Sequence, residues 1–132
     1  APPSDAEVRA MDVAAAAATL RVHVSVSRVA VAACKRLANL CLEVQNRQLA
    51  AEAGAIEAAV AAMQAHPQVV VVQLNGCAAL FNVCFGSDAA ARARRQRAVI
   101  AGATEAVAGA MQAHPGDAAV QRHGQRLRDL FA

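Results

Sequence analysis

Apolar positions recur along this chain at the three- and four-residue spacing of helices. Cys34, Leu37, Leu40 and Cys41 fall at i, i+3, i+6 and i+7, and Cys77, Leu80, Val83 and Cys84 form a second such set. Each predicts one buried stripe. Helix stops and starts lie between the stripes. Ser4-Asp5-Ala6-Glu7 has the form of a capping box, ahead of an alanine-rich helix expected to run to about Val22. His23 to Ser27 reads as a turn, with Ser27 as the cap of a helix ending near Cys41. A short helix is expected from about Arg47, stopping at Gly54, and another over Ile56 to Ala65, ending before Pro67. Pro67 is placed to open the following helix at its first turn. The β-branched run Val69 to Val72 taken alone favours a strand.

The chain repeats itself, and the repeat decides that conflict. AGAIEAAVAAMQAHP (Ala53 to Pro67) lies over AGATEAVAGAMQAHP (Ala101 to Pro115) at a shift of 48. Gly116 to Val120 then takes the place of the valine run with helix-forming alanines, so both stretches are read as helix. VAVAACKRLANLC (Val29 to Cys41) lies over VQLNGCAALFNVC (Val72 to Cys84) at a shift of 43, and His23, His66 and His114 fall on one joint. The last copy, ending RLRDLFA, reads as one residue short, with Asp129 in the place of Asn39 and Asn82. The units are approximately 5–44, 45–86 and 87–132 of one domain, the first lacking its short first helix. Units that cannot bury their apolar faces alone stack on one another, which predicts an all-α solenoid.

Composition agrees with the repeat. Of 132 residues, 37 are alanine, while tryptophan and tyrosine are absent. Alanine favours helices and lets them approach closely. The near absence of rings removes the stacking platforms that nucleic-acid binding uses. Net charge is +3, a mild imbalance, and only Lys35 among 13 basic residues is lysine. Arg92, Arg94, Arg95 and Arg97 form the densest charge cluster, read either as the solvated face of a short helix or as a contact for phosphate or an acidic protein. Each cysteine pair is seven apart, about 10.5 Å along a helix, too far for a bridge within the pair and without zinc-site spacing. These cysteines read as small buried hydrophobes, and the histidines as structural groups at the joints. The opening residues lack the basic region of a signal peptide and no apolar run could span a membrane, which points to a soluble intracellular protein. No glycine-rich phosphate loop, HExxH or GxSxG is present.

The unit length, the short–long–long helix pattern and the joint residues resemble the armadillo repeat. The resemblance rests on EAGAIEAAVAAM (Glu52 to Met63) and on RLANLC, ALFNVC and RLRDLF at the ends of the third helices. It implies a right-handed α-solenoid of about three repeats whose third helices line a concave groove. In the family a ladder of asparagines there holds an extended peptide, and Asn39 and Asn82 match it. The tryptophan often found four residues earlier is replaced by Lys35, Ala78 and Gln125, so an importin-like binder of nuclear-localisation signals is not expected. Asn39 and Asn82 equally suit structural bonds to a neighbouring loop.

The expected function is a non-enzymatic scaffold that binds a protein segment on its third helices, with no cofactor, metal or catalytic residue. Lys35, Asn39, Asn75, Asn82, Arg122, Gln125 and Asp129 are the candidate contacts. The alternative is a structural subunit or fragment docked through its ends or convex side into a larger assembly, or self-associating through uncapped ends, since neither end reads as a polar cap. A contact of the arginines with nucleic acid or a phosphorylated protein is the weakest reading.

Overall fold

Nine α-helices and no strand make up the protein in the computed structural model, which describes residues 1–132. They are α1 (Asp5–Arg9), α2 (Val13–Val22), α3 (Ser27–Leu40), α4 (Val44–Glu52), α5 (Ala55–Ala65), α6 (Val70–Cys84), α7 (Ala89–Ile100), α8 (Ala103–Ala113) and α9 (Ala118–Phe131). Helix α6 packs between α3 and α9, and α5 packs between α2 and α8. One core of 33 buried residues runs through these rows. Alanines such as Ala16, Ala17, Ala59, Ala62 and Ala110 are buried between the helices and allow their close approach.

The apolar stripes are where the spacing places them. Cys34, Leu37, Cys41, Cys77, Leu80, Val83 and Cys84 are all buried, and Leu40 is half-buried. Val69 to Val72 is helical from Val70 onward. Helix α6 is covered by α3, α5 and α9, so burial outweighs the weak strand preference of the valines. Gly54 and Gly102 have φ of +83° and +96°, a left-handed conformation that costs glycine nothing.

Four local expectations are corrected. The alanine-rich helix is not continuous from Asp5 to Val22. It breaks at Ala10–Asp12, where the Asp12 carboxylate accepts from the Ala15 N–H and caps α2. The break lets α1 fold against α3 and bury Val8 completely, and Arg36 Nε donates to the freed Met11 carbonyl at 2.8 Å. A short helix therefore does precede α2. Pro67 and Pro115 do not open helices. They sit second in β-turns closed by Val69 N–H to His66 O and Asp117 N–H to His114 O, the position for which a fixed φ is suited. Ser27 is the first residue of α3 and makes no cap bond, because Val26 is the N-cap. Finally, α9 runs unbroken from Ala118, and Gln121 and Gly124 repeat the contacts of Gln73 and Gly76 at a shift of 48. An unbroken helix cannot slip by one residue, so Leu130, not Asp129, stands opposite Asn82.

The joints repeat atom by atom. Gln73 Nε2 donates to Met63 O and His66 O, and Gln121 Nε2 to Met111 O and His114 O. His66 Nε2 lies 2.7 Å from Val24 O, and His114 Nε2 lies 2.8 Å from Pro67 O. A carbonyl only accepts, so both Nε2 atoms carry a proton. Each ring ties its joint to the preceding one. His23 makes no such bond.

Candidate functional site

The third row, α3, α6 and α9, carries all seven candidate contacts. It holds six of the 13 basic residues and one of the ten acidic ones, a formal charge of +5 against −2 for the remainder of the chain. Lys35 and Asn39, one turn apart on α3, are exposed and make no side-chain bond within the protein. They line a groove of about 540 Å³ with Arg9, Arg28, Val31 and Val69. Arg28 is engaged by Asp5 at 2.9 Å, whereas Arg9 is exposed without a partner.

On α6, the two asparagines are partly committed. Asn75 Nδ2 donates to Val71 O one turn back at 2.8 Å. Asn82 Nδ2 donates to Ala38 O at 2.8 Å, pairing a carbonyl near the end of α3. A helix leaves its last four carbonyls open, and Asn82 closes one of them. On α9, Gln125 donates to Asp129 at 3.0 Å and Arg122 is exposed. The structure thus brings Lys35 and Asn39 into one groove, places Asn75 on the adjacent helix α6, and gives Asn82 a structural bond.

The register of α9 identifies residues that the sequence comparison missed. Lys35 and Ala78 correspond to Arg126, and Asn75 to His123. The Arg126 guanidinium lies 4.1 Å from the centre of the Phe81 ring, which in turn stacks on Phe85 at 5.3 Å. An aromatic pair therefore does line this row, under an arginine. Burial, then Arg126 and Arg122, hold the His123 pKa below its ordinary value.

The arginine cluster is divided: Arg92 and Arg97 lie exposed, as on a solvated face, whereas Arg94 and Arg95 turn inward. Arg94 is buried, with Nε donating to Val83 O at 2.7 Å and Nη1 to Gln48 Oε1 at 3.0 Å. Arg95 Nη1 donates to Cys84 O and Gly86 O. Asn46 and Arg47 do the same for α3, at Leu40 O and Cys41 O. These side chains cap helix C-termini, where a positive charge also suits the helix dipole. Arg97 pairs with Glu57 at 2.7 Å, which leaves only Arg92 exposed and unpartnered. The signal for this role was the recurrence of arginine 48 residues apart, at 47 and 95.

Burial pushes the thiols of Cys34, Cys77 and Cys84 up to about 12 and that of Cys41 to about 11, so none offers a thiolate near neutral pH. No helix is long and apolar enough to cross a membrane. Compared with protein families, curated proteins and solved structures, the chain shows no match in any of the three.

Proposed function

We propose that the helices form three armadillo-type units, α1–α3, α4–α6 and α7–α9, stacked as a right-handed α-solenoid. In this reading the chain is a non-enzymatic binding module that holds an extended protein segment across α3, α6 and α9. The observation that carries it is the pair Lys35 and Asn39, whose polar groups are unspent and face a groove on that row. An amide with a free donor and acceptor can pair with a peptide group. The test is to pan a random displayed library of extended peptides on the immobilised protein. Recovered peptides are expected to be lost on Lys35→Ala with Asn39→Ala and retained on Glu105→Ala, an exposed change on α8. Peptides retained on the double variant place binding elsewhere and defeat the reading.

A second reading is supported by a different feature. Val99 and Ile100, 43% and 87% exposed, line a groove of about 530 Å³ with Leu130 and Phe131. This apolar surface suits docking into a larger assembly or onto another copy. A sedimentation profile that stays monomeric at high concentration counts against self-association through it.

A further inference from the structure

We infer that the segment held across α3, α6 and α9 is acidic, with carboxylates about six residues apart and an uncharged stretch between them. This rests on the segment-binding reading above and gives it a chemistry.

The charge distribution carries the inference. Helix α3 contributes Lys35 to the groove, next to Arg9 of α1, and α9 contributes Arg126 at the corresponding position. Between them α6 has no charged residue at all; its polar side chains are Asn75, Asn82 and the buried Gln73. The pattern across the row is therefore positive, neutral, positive. The only acidic residue of these helices, Asp129, is engaged by Gln125. After burial, Arg126 and Arg122 are the further causes that disfavour protonation of His123. A basic segment would meet like charge at both ends of the row, which costs affinity and slows encounter.

Spacing fixes the ligand further. Packed helices lie about 8–10 Å apart, and an extended chain rises about 3.3 Å per residue. Two helix spacings thus correspond to about six residues, which sets the separation of the two carboxylates. The neutral middle would lie over α6, where Asn75 is available. A nucleic acid fits less well. Its phosphates recur at every residue, so several would cross α6 with no cation to meet them. The one aromatic pair is already covered by Arg126 and Arg47, at 4.1 and 5.6 Å.

The experiment uses three displayed libraries of twelve-residue peptides, random except for positions 3 and 9, which are both Glu, both Lys or both Gln. Enrichment on the intact protein is expected to be at least tenfold greater for the Glu library than for the Lys library. Lys35→Glu is expected to lower binding of the best Glu peptide about five- to tenfold. Arg92→Glu changes the net charge equally and is expected to leave it unchanged. Preferential enrichment of Lys or Gln peptides that still depend on Lys35 and Asn39 overturns the acidic assignment while the segment-binding reading stands. Enrichment of no library overturns both. Tighter binding of a twelve-residue oligo-dT strand than of the best Glu peptide overturns the inference in favour of nucleic acid. Equal losses on Lys35→Glu and Arg92→Glu overturn it by reducing the effect to net charge.

Discussion

Asn82 donates its side-chain amide to the Ala38 carbonyl at 2.8 Å and so ties α6 to the last turn of α3. Asn39, its counterpart one unit earlier, donates to nothing within the protein. Two residues that look equivalent in sequence therefore answer to different demands. Asn82→Ala is expected to cost about 1–2 kcal/mol by leaving the Ala38 carbonyl unpaired. Asn39→Ala is expected to stay within about 0.5 kcal/mol of the parent, as exposed changes do. Urea denaturation of the two variants checks this directly.

Glycines in the helices separate in the same way. At Gly109 an added Cβ meets nothing within 4 Å, so Gly109→Ala is expected to stabilise the protein by about 0.5–1 kcal/mol. At Gly76 the same Cβ would lie 2.6 Å from Met63 Cγ, and Met63 is buried. Gly76→Ala is expected to cost about 1–3 kcal/mol. Met111 beside Gly124 is half-buried and can move aside, so Gly124→Ala should cost less than Gly76→Ala. Thermal melting of the three variants ranks them.

Arg94 has a fork of donors that meets Val83 O, Phe85 O and Gln48 Oε1. Arg94→Met keeps much of the length but strands these acceptors, and is expected to cost about 2 kcal/mol or more. Arg94→Lys is expected to recover only part of this, because a single ammonium cannot reproduce a planar fork. Denaturation midpoints of both variants decide it.

The thiols give a prediction in pH. Burial raises their pKa from 9.0 to about 11 in Cys41 and about 12 in the other three. Unfolded thiols ionise first, so above pH 9 the unfolded state binds fewer protons than the folded one. Stability is therefore unaffected by these groups below about pH 9 and falls as pH rises from there toward 12. Unfolding free energy measured from pH 8 to 11 should fall more steeply in the parent than in a Cys34→Ala/Cys77→Ala variant. In native protein at pH 8, a disulfide reagent should modify the four thiols only as fast as the chain opens.

What the sequence made legible was set by local rules. The spacing of Cys34, Leu37 and Cys41 gives a helical stripe, and Gly54 and Gly102 end helices because of their backbone freedom. Both operate within one or two turns. The break at Met11 was hidden because its reason is tertiary: it allows Val8 to reach the core beneath α1. The caps from Arg94 and Arg95 were hidden likewise, since their acceptors lie ten or so residues away and are brought near only by folding. The placement of Asp129 failed differently. RLRDLF matches ALFNVC best one residue out of step, and only the unbroken course of α9 from Gln121 corrects it. That correction puts Leu130 in the place of Asp129, Arg126 in that of Gln125 and His123 in that of Arg122, and changes the charge of the candidate surface from mixed to positive.

The proposed binding surface is the row formed by α3, α6 and α9. Two-dimensional amide NMR spectra of the protein, recorded during titration with the strongest library peptide, test this most directly. Shift changes are expected to gather at Lys35, Asn39, Asn75 and Arg126, across α3, α6 and α9. Changes gathered on α2, α5 and α8, or around Val99 and Ile100, would contradict it.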